Sequence, residues 1–384
     1  MKSILILIGG YLPGYKVGGP VQTIKNLTDC LGEEYEFYIL TADRDLGDNK
    51  AYDNIRYDQW NQVGRAKVWY VKPGGFTVAA IRKIAENIGL IYVCGCFNDY
   101  ARSVMQLKRR GKLKMPVVIA PMGLFSAGAL QIKGRKKKLY LMGCKLLAWF
   151  KDVVWSVTGE QEELEVKKVI GKDAVCFRAQ DIPRHMEKRP EPIRKDNGKL
   201  DVIFLSRISP KKNLKYAIDI LSQLKGEICF DIYGMPEDED YYAACMKAVE
   251  TFPPNVHCVY KGQVRPDEVL ETFSRYHVFL FPTRGENYGH VIYEAMAGGC
   301  IPVISDRTPW QDLEDRQIGG VVSLEHMKEF VKALQELVDM GQSEYDERRK
   351  RVTDYAWEYG EHIDCQGYRE IFALGVTAEM QEKL

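Results

Sequence analysis

The feature that most limits what this chain can become is an alternation of short apolar runs with stretches of helical spacing, played out twice. In the first half the runs are Ile4 to Ile8, Phe37 to Leu40, Val68 to Val71, Leu90 to Cys94, Val117 to Ala120 and Val153 to Val157. In the second they are Val202 to Leu205, Ile228 to Tyr233, Val256 to Tyr260, His277 to Phe281 and Ile301 to Ile304. Short apolar runs bounded by turn residues read as strands buried on both faces, and their alternation with helices argues a parallel sheet covered by helices. At 384 residues the chain exceeds one ordinary core and suits two domains. Gln180 to Lys199 holds three prolines and many charges with little apolar periodicity, which is linker composition. The expectation is an α/β fold with two Rossmann-like domains facing across a cleft: residues 1–180, a linker at 181–199, and residues 200–360. A closing segment, 361–384, continues a helical spacing that runs from Tyr355 and Tyr359 to Tyr368 and Phe372. Ligands of such folds bind at the carboxyl ends of the strands.

One stretch carries more chemical information than the rest, Thr283 to Ser305, reading TRGENYGHVIYEAMAGGCIPVIS. Val278 to Phe281 reads as a buried strand, Pro282 to Gly289 as a glycine-containing loop, Val291 to Ala297 as a helix, and Ile301 to Ile304 as the next strand. Backbone N–H groups in the opening turn of that helix, near Asn287 to His290, suit an anion such as a diphosphate. Were the intervening residues fully helical, Glu286 and Glu294 would lie roughly 12 Å apart along the axis. A hydrolase carboxylate pair sits about 5–9.5 Å apart. The two glutamates are better placed to hold the two ends of an extended ligand.

This acidic pair at E-x7-E spacing, preceded by F-P-T-R-G-E-N-Y-G and followed by E-A-M-A-G-G-C-I-P-V-I, resembles the signature of the retaining family 4 (group 1) glycosyltransferases of bacterial polysaccharide biosynthesis. That family has the GT-B fold, in which a C-terminal helix often returns to pack on the first domain, a role the resemblance implies for segment 361–384. The run S-R-I-S-P-K-K-N-L after Val202 to Leu205 is similar to the family's G-R-x-x-P-x-K-G element: Arg207 and Lys212 match its Arg and Lys, while Ser206 and Asn213 stand where the family has glycines. The resemblance implies that Arg207 and Lys212 stabilise a departing diphosphate, and that Glu286 contacts the transferred sugar. It also implies that Glu294 binds the donor ribose and that the amides of Tyr288, Gly289 and His290 hold phosphate or sugar oxygens. Gly262, Gln263 and Val264 align with the loop that contacts the base. Fixed cations aimed at growing charge stabilise the transition state more than the ground state.

Near the N-terminus, strand one leads into G-G-Y-L-P-G-Y-K-V-G-G-P, similar to the family's glycine-rich first loop. Gly18 and Gly19 could bring amides to the donor phosphate before a helix beginning near Pro20 to Thr23; flexibility alone would also account for them. It is not a G-x-G-x-x-G dinucleotide fingerprint. Many family members carry a first-domain histidine near the sugar, whereas all six histidines here lie at or after His185. The resemblance implies that the departing phosphate takes the acceptor proton, and the histidine's role is here either vacant or filled by another group around Phe97 to Tyr100. Asp238 to Asp240 reads D-E-D in an acidic loop rather than D-x-D at a strand end, so a metal-independent transfer is expected. No cofactor is expected beyond the nucleotide diphosphate sugar as co-substrate.

The segment from Ala120 to Tyr140 resembles the acceptor-side stretch of the family, and S-V-T-G-E-Q-E-E its T-S-E-x-E turn, with Gly159 for Ser. Lys133 and Arg135 to Lys138 precede an apolar stretch with Leu139, Tyr140, Leu146, Leu147, Trp149 and Phe150. That order fits two arrangements, a surface resting on an anionic membrane or a core helix with a solvated lysine face. Up to Lys195 the chain has 33 Lys and Arg against 20 Asp and Glu, and beyond it 21 against 33, which again fits an anionic partner for the first half or two lobes that attract each other. No platform interleaves basic and stacking residues as nucleic acid would require. Ten cysteines are scattered without a C-x2-C pair, as in a reducing cytosol. The run Ser3 to Ile8 is too short for a signal peptide, and no stretch approaches the roughly 20 apolar residues of a membrane span. The expected protein is cytoplasmic or peripheral at the inner membrane face, acting on a glycan or lipid-linked acceptor. Two rivals share parts of the pattern: a nucleotide-sugar epimerase of the same fold, and a non-catalytic two-lobed sugar-binding protein.

Overall fold

A computed structural model describes residues 1–131 and 134–374; Lys133 and the part of segment 361–384 after Leu374 lie outside them. The described chain divides into two compact units, one formed by residues up to 182 with 364–374 and the other by 183–363.

The first unit holds β1 (Lys2–Leu7), α1 (Gly19–Leu31), β2 (Tyr35–Ala42), β3 (Asn61–Val63), β4 (Ala66–Val71), α2 (Val78–Ile84), β5 (Leu90–Cys94), α3 (Asp99–Arg109) and β6 (Val117–Ala120). It continues with α4 (Ala127–Gln131), α5 (Gly134–Leu146), β7 (Val154–Val157), α6 (Glu160–Val169) and β8 (Val175–Arg178). Eight strands order as β3-β4-β2-β1-β5-β6-β7-β8. All pairings are parallel except β3 with β4. From β4 to β7 this is the doubly wound order, whose reversal falls between β1 and β5. Leu5, Leu7, Ile91 and Val93 on those central strands are fully buried, which is why they read as uninterrupted apolar runs.

The second unit holds β9 (Lys199–Leu205), α7 (Leu214–Leu221), β10 (Glu227–Tyr233), α8 (Glu239–Val249), β11 (Val256–Gly262), α9 (Val269–Ser274), β12 (Val278–Phe281), α10 (His290–Ala297), β13 (Ile301–Ser305), β14 (Gly320–Val322), α11 (Met327–Asp339) and α12 (Gln342–Glu361). The sheet order β11-β10-β9-β12-β13-β14 is the same doubly wound pattern, all parallel. Its reversal lies between β9 and β12. These two strands pair only at Val278 with Val202 and Phe279 with Ile203, so their carboxyl ends run on unpaired with each other. A crevice at that point is where such sheets receive ligands.

Helix α13 (Gln366–Ala373) follows a break after α12 and belongs to the first unit. Phe372 packs edge-on against Tyr35, Phe37 and Tyr92, Arg369 forks onto Glu34 at 2.8 and 2.9 Å, and the Lys2 ammonium donates to the Phe372 carbonyl. Cys365 is joined to Cys30 of α1 by a disulfide. The cysteine reading is corrected accordingly: two of the ten are partners, while the other eight are free thiols.

The segment 181–199 is more firmly fixed than its composition suggests. Ile182 and Met186 are buried, and so is Lys195, whose ammonium donates to the carbonyls of Asp196, Val338 and Met340. Three carbonyl acceptors satisfy a charge that burial would otherwise penalise.

Candidate functional site

The site assembles at the switch point of the second unit, from the loop after β9 and the loop after β12. In the first of these, Ser206 N–H donates to Tyr233 O and Ile208 N–H to Met235 O, so the chain continues alongside the end of β10. Gly234 makes that approach possible. A Cβ there would come within 1.7 Å of the Ser206 carbonyl oxygen, so no side chain fits. The loop then turns at Ser209, whose carbonyl accepts from Lys212 and Asn213.

Asn213 explains one departure from the family pattern. It sits in the left-handed region, φ 64° and ψ 38°, just before α7, a conformation open to glycine and tolerated by asparagine. It is buried, and its amide Nδ2 donates to Pro282 O at 2.9 Å. Asn213 therefore meets the backbone demand of the glycine and adds a tether to the β12 loop. Two further bonds join the loops, Arg284 N–H to Lys211 O at 2.8 Å and Thr283 Oγ1 to the same carbonyl at 3.3 Å.

Held this way, the two loops bring together Lys212 and Glu286, whose ion pair spans 2.5 Å with both side chains almost nine-tenths covered. Thr283 Oγ1 donates to the same Glu286 oxygen at 3.1 Å, and Ser305 Oγ holds the Thr283 carbonyl at 2.5 Å. The Lys212 ammonium also lies 5.4 Å from the centre of the Phe281 ring. Arg207 pairs with Glu237 at 3.0 Å at a more open position. The two cations expected to face a diphosphate are thus each paired with a carboxylate. An exposed pair such as Arg207 with Glu237 holds its partners weakly. Lys211, given no role at the site by its sequence, is the third cation here: burial lowers its pKa, and the nearby charges of Lys212 and Arg207 press the same way against the opposing pull of Glu286 and Glu237. Three cations around two carboxylates leave a local positive excess that an anion would relieve.

The condition behind the 12 Å spacing is not met, because α10 begins only at His290 and Glu286 lies in the loop, its N–H donating to Arg307 O at 2.9 Å. Gly289 caps α10 in the left-handed region, φ 82°, and a Cβ there would crowd Ile292. Tyr288 is buried, its ring against His290 and Trp310, and its carbonyl accepts from the Trp310 indole at 2.7 Å. Glu294 has its pKa raised by burial, opposed by the charges of His290 and Arg184. Arg184 was missed in the sequence because it stands in the proline-rich segment. Its carbonyl accepts from Tyr293 on α10 at 3.2 Å, and its guanidinium donates to Pro266 O, just beyond Gly262, Gln263 and Val264. The loop after β11 and Glu294 are thereby tied to one residue. Gly262 itself accepts from Gly234 N–H at 2.8 Å.

In the first unit the glycine-rich loop is built differently from expectation. Gly18 has φ 79° and donates its N–H to Tyr15 O at 2.9 Å, so it serves by conformation, and its amide is not turned to a ligand. Gly19 opens α1. Buried Asp45 holds the loop, accepting from Tyr15 N–H at 2.7 Å and Lys16 N–H at 3.1 Å. No sequence periodicity marks Asp45. The place suggested for an acceptor-activating group, Phe97 to Tyr100, is occupied with other work: Asn98 caps α3, Asp99 pairs with Arg102, and the buried Tyr100 hydroxyl donates to Cys94 O. Glu162, the second Glu of the T-G-E-Q-E turn, is buried and accepts from Gly123 N–H at 2.6 Å and Thr158 N–H at 2.9 Å. It fastens the loop after β6 to that after β7, and burial raises its pKa. Asp238 of the D-E-D run is the N-cap of α8, accepting from Tyr241 N–H, which accounts for an acidic cluster there. Among the described residues no three His, Cys, Asp or Glu side chains gather as a metal site would require.

Residues 185–358 match the family model of glycosyl transferases group 1. A probable sucrose-phosphate synthase of Thermosipho melanesiensis is 29% identical over 169 residues, which are 42% of this chain and 39% of that protein. An uncharacterized 41.2 kDa protein in the cps region of Klebsiella pneumoniae is 24% identical over 242 residues, 61% of this chain and 64% of that one. The matches thus span less than two thirds of either curated relative. Among solved structures, Anabaena Alr3699/HepE in complex with UDP-glucose superposes with a TM-score of 0.67 at 14% identity, covering 100% of both chains. Likeness at that identity shows the fold: mixed α/β with parallel sheets, as in GT-B glycosyltransferases. The family match lies wholly in the second unit and supports a group 1 glycosyltransferase reading of that unit.

Proposed function

We propose that this protein is a retaining, metal-independent glycosyltransferase that moves a sugar from a nucleotide diphosphate sugar to a hydroxyl of a glycan or lipid-linked oligosaccharide in cell-surface polysaccharide synthesis. The observation that carries the reading is the convergence of Arg207, Lys211 and Lys212 with Glu286 where β9 and β12 part. A departing diphosphate gains negative charge as the glycosidic bond breaks, and cations fixed by a folded loop stabilise that charge without reorganising. The donor phosphate would take over Lys212 and release the Glu286 carboxylate toward the sugar. Glu294 suits the ribose hydroxyls, and the loop at Gly262, Gln263 and Val264 suits the base. The first unit would present the acceptor, with the departing phosphate receiving its proton, and work at the cytoplasmic face of an anionic membrane would bring the enzyme to a lipid-linked acceptor. The cps-region relative is in keeping with the polysaccharide role.

The test combines binding with turnover. Thermal-shift screening against UDP, GDP, ADP and CMP should find one nucleotide that stabilises the fold, by roughly 2.7 kcal/mol at 100 times its dissociation constant. Lys212→Ala should then lower turnover about 10²–10³-fold while the fold survives. Stabilisation by none of the four, or full activity in Lys212→Ala, would remove the assignment.

A further inference from the structure

Helix α5 carries apolar residues on both sides, and packing explains only one. The inward side is Lys137, Tyr140, Leu141 and Cys144: the Tyr140 hydroxyl donates to Cys96 O at 2.8 Å, Lys137 Nζ donates to Ala129 O at 2.6 Å, Cys144 is buried, and Leu141 packs on the core. On the other side Leu139, Met142 and Leu146, spaced i, i+3 and i+7, are 67%, 55% and 82% exposed, and Leu147 just after the helix is 55% exposed. Four of the ten exposed large hydrophobic residues among the described residues thus fall within nine positions. Soluble surfaces scatter such side chains singly, and a cluster signals a partner.

The charges around the cluster select that partner. Arg135, Lys136, Lys138, Lys145 and Lys151 are exposed, and among the described residues none of them is in an ion pair. The sequence from Tyr100 to Lys151 has thirteen Lys and Arg and not one Asp or Glu. A second copy of the chain would bring this field against itself, which like charges oppose. A polyanion without an apolar phase would satisfy the cations and leave the leucines in water. An anionic bilayer meets both needs: the leucines enter the acyl boundary while the ammonium and guanidinium heads reach the lipid phosphates.

We infer that the outward side of α5, with Leu147 and Lys151 beyond it, is a peripheral anchor for an anionic lipid bilayer. This deepens the reading of a lipid-linked acceptor, yet it is testable without donor or acceptor. The full chain would be sedimented with vesicles of phosphatidylcholine alone and of phosphatidylcholine mixed with an equal part of phosphatidylglycerol. Binding is expected only to the mixed vesicles, weakening with salt. Lys136→Gln with Lys138→Gln should weaken it roughly thirty-fold at low salt, and Leu139→Gln with Leu146→Gln at least about ten-fold. All four side chains are exposed, so nucleotide-induced thermal shifts should match the parent's and report an intact fold. Failure of the parent to bind mixed vesicles would overturn the inference, as would binding untouched by either double variant. Self-association abolished by the leucine changes would overturn it too, making the face an interface between copies. A chain that bound vesicles but no nucleotide would instead refute the glycosyltransferase reading and leave the anchor standing.

Discussion

Replacing Asn213 by alanine and by glycine separates backbone conformation from side-chain bonding at the junction of the two site loops. Alanine would be forced to φ 64° and ψ 38°, at a penalty of roughly 1–2 kcal/mol for a left-handed residue with a Cβ. It would also remove the 2.9 Å bond to the buried Pro282 carbonyl, worth about 1–3 kcal/mol when the acceptor is left unsatisfied. The total loss is about 2–5 kcal/mol. Glycine keeps the bond loss and escapes the conformational penalty, so Asn213→Gly should be the milder change by about 1 kcal/mol even though its unfolded chain is freer. In a helix interior the order is reversed, with glycine worse than alanine by about the same amount. Urea unfolding followed by fluorescence, with Trp310 and Trp357 reporting on the second unit, would rank the two. An alanine variant as stable as the glycine variant would refute the left-handed argument. Nucleotide affinity should fall with both, since the tether that aligns Lys212 and Thr283 is gone in each.

Other outcomes follow from single features. Because burial raises the pKa of Glu294 above its ordinary 4.5, its ionised form opposes folding; the stabilising contribution is complete at pH below 4.5 and disappears as pH rises through the shifted value. Glu294→Gln should therefore stabilise the ligand-free chain near neutral pH and much less in acid, while weakening nucleotide binding; an equal melting offset at both pH values would contradict this. Alkylation of the unfolded chain without reductant should modify eight cysteines, and all ten after reduction; ten in both cases would mean that Cys30 and Cys365 are not joined.

The strands were legible because parallel strands covered on both faces have nothing but apolar side chains, as in Leu90–Cys94 and Val278–Phe281, whose limits agree with the sequence reading. Short edge strands were not. Asn61–Val63 and Gly320–Val322 have three residues each, too few to set a period. The E-x7-E stretch was legible as a loop followed by a helix because its pattern is local. What pairs with Glu286 is set by a residue 74 positions earlier, and no linear pattern reports that Lys212 and Thr283 meet at one carboxylate oxygen while the Lys211 carbonyl accepts from Thr283. Asn213 looked like a defect in a glycine pattern since sequence shows residue type and not φ. Arg184 and Lys195 looked like solvated linker charges because hydrophilic composition cannot distinguish water from buried carbonyls as their partner.

Because the first unit is completed by α13, its formation is split in time during synthesis. The ribosome delivers residues 183–363, a contiguous unit with its own core, before it delivers Phe372, whose ring contacts Tyr35, Phe37 and Tyr92. The later-encoded unit can thus close first, while the earlier one waits with part of its apolar wall open to water. A nascent chain in that condition is exposed to aggregation, and a chain stopped before Gln366, the first residue of α13, would make that transient stage permanent.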